Sequence, residues 1–478
     1  MTRTHLLGYP RIGEQRELKK ATELYWKGEI PRAALEAVAR DLRKRNWLKQ
    51  SAAGIDLLPC NDFSFYDQML DMSCLLGNIP SRFGWDGSYT DPDTIFTVAR
   101  GSKNRTHDHG SDCGCGATPG FAAEMTKWFD TNYHYIVPEF EAGTTFKLSS
   151  TKVFNEFSEA KALGLNAKPV LIGPVTYLTL GKVQDKKNPD FDRFSLLDRL
   201  LPVYEDIIGR LQREGAEWIQ LDEPVLGLDL NDAQRSAFLE TYARLKMAAG
   251  DSKLLLATYF GELRENLPLA ISLPVHGIHF DAVRGEAEID RVLLDYPQDK
   301  VLSLGVVDGR NIWKNDFETS LRWLRKALAA VGAERLWVAP SCSLLHSPVT
   351  LESERTLDPQ IRDWLAFADE KLTEVVSLAG LLDGTADPAS LEANRESQKR
   401  RKTSPIIHNP RVTSRLSFVI PEDSKRNSPF AVRREAQRAK LKLPAFPTTT
   451  IGSFPQTAEV RSARAKWKKG LLSDKEYD

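Results

Sequence analysis

The sequence predicts an α/β protein built on a (β/α)8 TIM-type barrel, and three observations predict it. Short apolar runs recur at 6–9, 55–59, 169–172, 218–221, 254–258, 277–280, 301–306 and 336–339, with helical stretches between them. That alternation belongs to parallel strands with crossover helices; eight of them favour a barrel, although the count alone also fits a doubly wound sheet. Several runs end in polar residues, among them Asn61 and Asp62, Thr176, Asp222 and Glu223, Asp281, Asp308 to Asn311, and Ser341 to Ser343. A barrel gathers its functional groups at these strand ends, while any single Asp, Asn or Ser there serves equally as a helix cap.

The third observation is a repeat. Leu6-Leu-Gly-Tyr-Pro-Arg-Ile-Gly13 opens the chain and leads into a charged helix closing on Lys27-Gly28. Phe446-Pro-Thr-Thr-Thr-Ile-Gly-Ser-Phe-Pro-Gln-Thr457 leads into a second charged helix closing on Lys469-Gly470. The reading is one complete unit at 1–382, a charged linker and helix at 383–443, and at 444–478 the first strand and helix of a second, truncated barrel.

Taken in order, the elements follow from local pattern. Residues 16–26 read as a charged helix. A long insertion follows the second strand: a helix at 94–100, a Gly- and His-containing loop, then 123–135. Residues 194–212 and 233–249 carry apolar positions at three- and four-residue spacing. Residues 386–428 turn polar and charged, with a basic run at 399–402 that reads as a solvated face, before a basic helix at 432–441.

Composition sets the outer limits. The 478 residues are 41% hydrophobic and 27% charged, with a formal net charge of +0. A neutral chain gives no bulk attraction to nucleic acid or to an anionic membrane surface, so neither is an expected partner. The first residues lack the apolar run of a signal peptide, no 18-residue apolar segment occurs, and the five cysteines are scattered; the expected compartment is the cytoplasm.

Candidate chemistry is local. Arg16, Lys19 and Lys20 cluster within one helical turn near a helix N-terminus, and Lys127 offers a second cation; together they suit a ligand with several carboxylates or phosphates, though the same spacing makes a solvated helix face. His107, His109, Cys113 and Cys115 supply donors enough for a tetrahedral metal site, but at tighter spacing than zinc motifs use, so adventitious or no metal is the expectation. Asp222 and Glu223 are adjacent on an extended segment and must point to opposite sides. His276, His279 and Cys342 read as structural. No P-loop and no Gly-x-Gly-x-x-Gly following a strand is present.

Longer motifs carry a resemblance. Gly8-Tyr-Pro-Arg-Ile-Gly13 with Arg16-Glu-Leu-Lys-Lys-Ala21, the stretch 124–135, Gly173-Pro-Val-Thr-Tyr-Leu178, Gln220-Leu-Asp-Glu-Pro224, Asp308-Gly-Arg-Asn-Ile-Trp313, the stretch 341–348 and the stretch 446–457 together resemble cobalamin-independent methionine synthase. The resemblance implies two facing barrels and methyl transfer from 5-methyltetrahydropteroyl-triglutamate to homocysteine. It implies that Arg16, Glu17, Leu18, Lys19 and Lys127 contact the methylfolate, and that Ile451, Gly452 and Ser453 contact homocysteine. It also implies a zinc ion and a catalytic acid, all held by second-barrel residues that no motif here matches; no catalytic residue and no metal ligand is assigned. The 478-residue polypeptide is therefore expected to bind folate without turnover; the alternative is a non-catalytic folate-binding or regulatory protein derived from the same barrel.

Overall fold

The computed structural model describes residues 1–101, 121–450, 452 and 456–478. They pack as two units, Met1–Thr403 and Ser404–Asp478. The first holds an eight-stranded parallel sheet: β1 (Arg3–Thr4), β2 (Leu58–Cys60), β3 (Ala167–Ile172), β4 (Trp218–Asp222), β5 (Lys253–Ala257), β6 (Gly277–Asp281), β7 (Val301–Val307) and β8 (Leu336–Pro340), in the spatial order β1-β8-β7-β6-β5-β4-β3-β2. The two outer strands meet at a parallel bridge between His5 and Leu57, where the Leu57 N–H donates to the Thr4 carbonyl at 3.2 Å. The sheet thus curls until its outer strands touch at this bridge, a TIM-barrel-like arrangement.

Seven of the eight strands fall on the apolar runs, within a few residues at each end. The first is displaced: the expected strand at 6–9 is instead Arg3–Thr4. Beyond His5 the backbone groups pair with side chains rather than with a neighbouring strand. Leu6 O accepts from Lys168 Nζ at 2.7 Å, Leu7 O accepts from Gln220 at 3.4 Å, and the Tyr9 N–H donates to Asp62 at 2.8 Å. An apolar run buried on all sides looks the same whether a ladder or side chains satisfy it.

Around the sheet, helices bury one face each. In α1 (Glu17–Lys27) Leu18, Ala21 and Thr22 are buried, and Gly28 ends the helix at φ 76 with its N–H on Leu24 O and Tyr25 O, the left-handed cap that glycine adopts without strain. In α2 (Arg32–Ala53) Leu35, Ala39, Leu42 and Trp47 face inward. Helix Leu197–Arg213 contributes Leu200, Leu201, Tyr204, Ile207, Ile208 and Leu211, all 0% exposed. The N-terminal end of the sheet is plugged by Leu57, Trp218, Leu255 and Trp337, with the two indoles 4.6 Å apart. Helix Ala389–Thr403, which falls in the stretch read as linker, lies within the first unit: Asn394 accepts the Phe317 N–H at 3.1 Å.

The second unit has helices Pro410–Ser417, Phe430–Leu441, Ala458–Lys468 and Asp474–Tyr477, and none contains a buried residue. The strand expected to open a second barrel falls partly on residues outside the described set, and 444–450 form no strand. Among the described residues no helix is long and apolar enough to cross a membrane.

Candidate functional site

The curled sheet directs the strand C-termini to one end, and the segment 6–20 crosses that end from β1 to α1. Close approach fixes its path. A Cβ on Gly8 would sit 2.4 Å from Ser343 Oγ, so only glycine lets the β1 and β8 connections touch there. Farther on, Lys49 of α2 holds Glu14 and Asp369 at 2.6 Å each, and the Tyr9 hydroxyl donates to the same Asp369.

The four consecutive candidates then diverge. Arg16 is not the first residue of the helix, as its spacing implied; it is the cap, in the left-handed region at φ 59, with its N–H on Gly13 O at 3.0 Å. Its exposed guanidinium has no hydrogen bond or ion pair among the described residues. Glu17 turns inward, accepting from the Gln15 N–H and from Arg45, both at 2.9 Å. Partial burial pushes its carboxyl up, but its backbone and Arg45 contacts outweigh that and hold it below the usual value. Leu18 is buried with Ala39, Leu42 and Phe63. Lys19 is exposed, 3.5 Å from Glu23. Glu17 and Leu18 thus anchor a turn whose outward groups are Arg16 and Lys19.

Lys127 sits on a hairpin, Met125–Lys127 against His134–Ile136, opposite His134. It is exposed and has no ion pair among the described residues, and no hydrogen bond joins it to residues 16–19. What connects hairpin and opening segment is Arg11: its guanidinium lies 5.5 Å from the Tyr133 ring, donates to Tyr133 Oη at 3.3 Å and also reaches Tyr66 O. At the other end of the chain Gly452 is exposed. Ile451, Ser453 and the His107-to-Cys115 loop lie outside the described residues.

Inside the curl lies a polar column that the sequence reading missed. Lys168 donates to Gln220, Gln220 donates to Asp222 at 2.6 Å, and Tyr259 donates to Asp222 at 3.0 Å. Burial lowers the Lys168 ammonium to about 8, against the pull of Asp222, and raises the Asp222 carboxyl to about 6. Glu223 points the other way, accepting from the Thr176 N–H at 2.7 Å, the Val175 N–H at 3.2 Å and the Tyr242 hydroxyl at 3.3 Å. Ser303 sits between His5 at 2.6 Å and His279 at 2.7 Å, and burial lowers His279 to about 4, leaving a neutral imidazole. The detectable signal was a Lys and a Gln at inward positions of apolar strands, 168 in β3 and 220 in β4.

Zinc does not fit the described residues. Among them no group of three or more His, Cys, Asp or Glu is placed to hold a metal. Cys60, Cys74 and Cys342 are buried, and burial pushes each thiol well up, away from the thiolate that zinc requires.

Comparison with known proteins places this arrangement. Residues 3–332 match a family described as "Cobalamin-independent synthase, N-terminal domain", and residues 446–478 match "Cobalamin-independent synthase, Catalytic domain". The 5-methyltetrahydropteroyltriglutamate--homocysteine methyltransferase of Caulobacter vibrioides is 48% identical over 99% of this chain and 61% of its own length. A protein of the same name from Flavobacterium johnsoniae is 50% identical over 100% of this chain and 61% of its own length. The chain therefore spans about three-fifths of the length of these relatives. Among solved structures, a putative vitamin-B12 independent methionine synthase from Listeria monocytogenes aligns with a TM-score of 0.51 at 15% identity, covering 80% of this chain and 99% of that one. A B12-independent methionine synthase from Shewanella sp. W3-18-1 gives 0.51 at 15%, covering 74% and 91%. At such identity these two speak to the fold alone.

Proposed function

This chain belongs to the cobalamin-independent methionine synthase family, and from that membership we propose that its first unit is a (β/α)8 barrel holding the polyglutamate tail of a methylfolate. The reaction served is transfer of the N5 methyl of 5-methyltetrahydropteroyl-triglutamate to the sulfur of homocysteine. In it the N–CH3 bond breaks, an S–CH3 bond forms, the thiol proton is released and the folate nitrogen takes up a proton. The methyl group is moved at one end of a ligand whose other end carries several carboxylates, so holding that tail positions the reacting end.

One observation carries the proposal. Arg16 is held in a left-handed conformation that a non-glycine residue adopts only at a cost of about 1–2 kcal/mol, and its guanidinium reaches solvent without a partner among the described residues. Glu17 and Leu18 pin the turn from beneath. Strain maintained to present an unpaired cation is the signature of a binding turn rather than of a solvated helix face. Arg16, Lys19 and Lys127 are the groups assigned to the tail carboxylates, and Gly452 with its neighbours 451 and 453 to homocysteine.

The test is calorimetry with 5-methyltetrahydropteroyl-triglutamate and its monoglutamate, with methyl transfer to homocysteine followed on the same samples. The triglutamate should bind more tightly, and Arg16→Ala and Lys127→Ala should each weaken it about five- to tenfold, the value of one charge-assisted contact at an exposed site. Equal affinity for the two ligands, unchanged by either substitution, would remove the assignment.

A further inference from the structure

The hairpin that carries Lys127 is fastened at two places of different character. At its base Asp67 accepts the Ile136 N–H at 3.1 Å, and at the end of its turn the Tyr133 hydroxyl accepts the Gln68 N–H at 2.9 Å. These contacts are buried or half-buried and multiple. At its turn Trp128 and Thr131 are buried and the Phe129 ring lies 5.6 Å from that of Phe260, while the exposed Asp130 is held by an ion pair. The Asp130 carboxylate forms an ion pair with the Arg310 guanidinium at 2.8 Å, and the Asp130 carbonyl accepts a hydrogen bond from Arg310 at 3.2 Å.

The two partners are unequal. The Arg310 side chain is 10% exposed and that of Asp130 67%. Arg310 is fixed in the turn after β7, where Asp308 accepts its N–H at 2.8 Å, and its guanidinium lies 4.8 Å from the Phe260 ring. Phe260 is itself wedged, at φ 77, between Tyr259 at 4.6 Å and His346 at 5.6 Å. The seat is therefore built by the ends of β5, β7 and β8, and Asp130 is an exposed position of a turn whose Phe129 and Tyr133 rings pack onto it. Beside it is a cavity of about 380 Å³ lined by Asp130, Asn132, Tyr133, Arg310, Leu345 and His346. That leaves room for the Asp130 side chain to move.

We propose that Asp130 and Arg310 form a latch that holds the Lys127-bearing hairpin over the strand C-termini, and that tight binding of a polyanionic folate tail requires the latch closed. The proposal rests on the folate reading given above. Arg310 and Asp130 act as positioning residues, not as ligand contacts. An ion pair with one half exposed is worth at most about 1 kcal/mol, and Trp128, Phe129 and Tyr133 have packing of their own, so its loss shifts the turn and costs affinity rather than fold.

The sign of one substitution separates this role from simple electrostatics. Asp130→Asn removes a negative charge near the site. Charge alone then predicts tighter binding of an anion; the latch predicts weaker binding, by about three- to fivefold. Calorimetry with 5-methyltetrahydropteroyl-triglutamate on Asp130→Asn and Arg310→Ala is paired with amide hydrogen exchange. Exchange at the Trp128 N–H, which donates to Tyr133 O at 2.8 Å, should quicken in both variants while that of β5 to β7 stays unchanged. Asp130 is on the exposed tip, so Asn there tests the latch even if Arg310→Ala fails to fold. Wild-type or tighter binding by Asp130→Asn overturns the proposal, as does unchanged exchange at Trp128. Lys127→Ala separates the two readings. If it weakens binding and the latch variants do not, only the latch falls; if none of the three matters, the folate assignment of the hairpin falls with it.

Discussion

Two regions of this chain form helices by the same local rules and end differently. In Met1–Thr403 helices such as Arg32–Ala53, Leu197–Arg213 and Phe317–Val331 bury an apolar face; in Ser404–Asp478 the helices bury nothing. Thr457 caps Ala458–Lys468 by accepting the Val460 N–H, Ser473 caps Asp474–Tyr477, and Trp467 stacks on Tyr477 at 4.9 Å. Meanwhile Phe446 is 93% exposed, with Leu416, Phe418, Phe430 and Leu443 exposed beside it in sequence. Caps and propensity write a helix; only a closed set of apolar faces makes a fold, and short helices without one are marginal in water.

The largest test of that difference compares equivalent truncations. Leu211→Ala, at a fully buried position of Leu197–Arg213, should cost about 2–5 kcal/mol in urea unfolding. Leu441→Ala, 57% exposed at the end of Phe430–Leu441, should cost less than about 0.5 kcal/mol. Equal costs would mean that the second unit has a core of its own.

A second test uses the buried charge that only the first unit carries. Burial raises the Asp222 carboxyl from 3.8 to about 6, the contacts from Gln220, Tyr259 and Lys168 offsetting only part of the shift. Between about pH 4 and pH 6 the folded chain therefore keeps a proton that the unfolded chain releases. Its stabilising contribution is complete below pH 4 and is lost as pH rises to 6, by up to about 3 kcal/mol. Asp222→Asn has no proton to lose. Its deficit relative to the wild type should shrink by that amount between pH 4 and pH 7, measured by urea unfolding at each pH. A constant deficit would show that Asp222 is ionised throughout.

What could be read from sequence, and what could not, divides along physical lines. Seven strands were legible because a strand covered on both faces is a continuous apolar run with few alternatives. The eighth was misplaced by about three residues because 6–9 is apolar for a different reason: it threads through the end of the sheet with its carbonyls on Lys168 and Gln220. Arg16 was found as a cation but placed on a helix face, since spacing reports periodicity and not the left-handed φ that takes it off the helix. The divergence of Asp222 from Glu223 followed from strand alternation alone. Arg310 and Asp130 are 180 residues apart, and no local pattern joins them; only the fold does.

The smallest test compares two cations with left-handed φ, one taken from each unit. Arg16 and Lys442 have φ of 59 and 52, both left-handed and neither glycine. Lys442 is the C-cap of Phe430–Leu441, its N–H on Arg438 O, where the left-handed turn simply ends a helix. Arg16 instead begins one, where extended backbone is usual. Glycine relieves left-handed strain at either site, at the cost of greater freedom in the unfolded chain, for a net gain of about 0.5–1 kcal/mol. In the first unit that gain should appear in its cooperative unfolding, so Arg16→Gly should be slightly more stable than the wild type while binding the triglutamate less well. In the second unit it should appear only as slower amide exchange in the last turn of Phe430–Leu441, with the main unfolding transition unmoved. A gain in stability opposed to a loss in binding marks strain kept for function. If Arg16→Gly lowers both, the left-handed turn is a consequence of the fold, and the case for a binding turn at 16–19 must rest on charge alone.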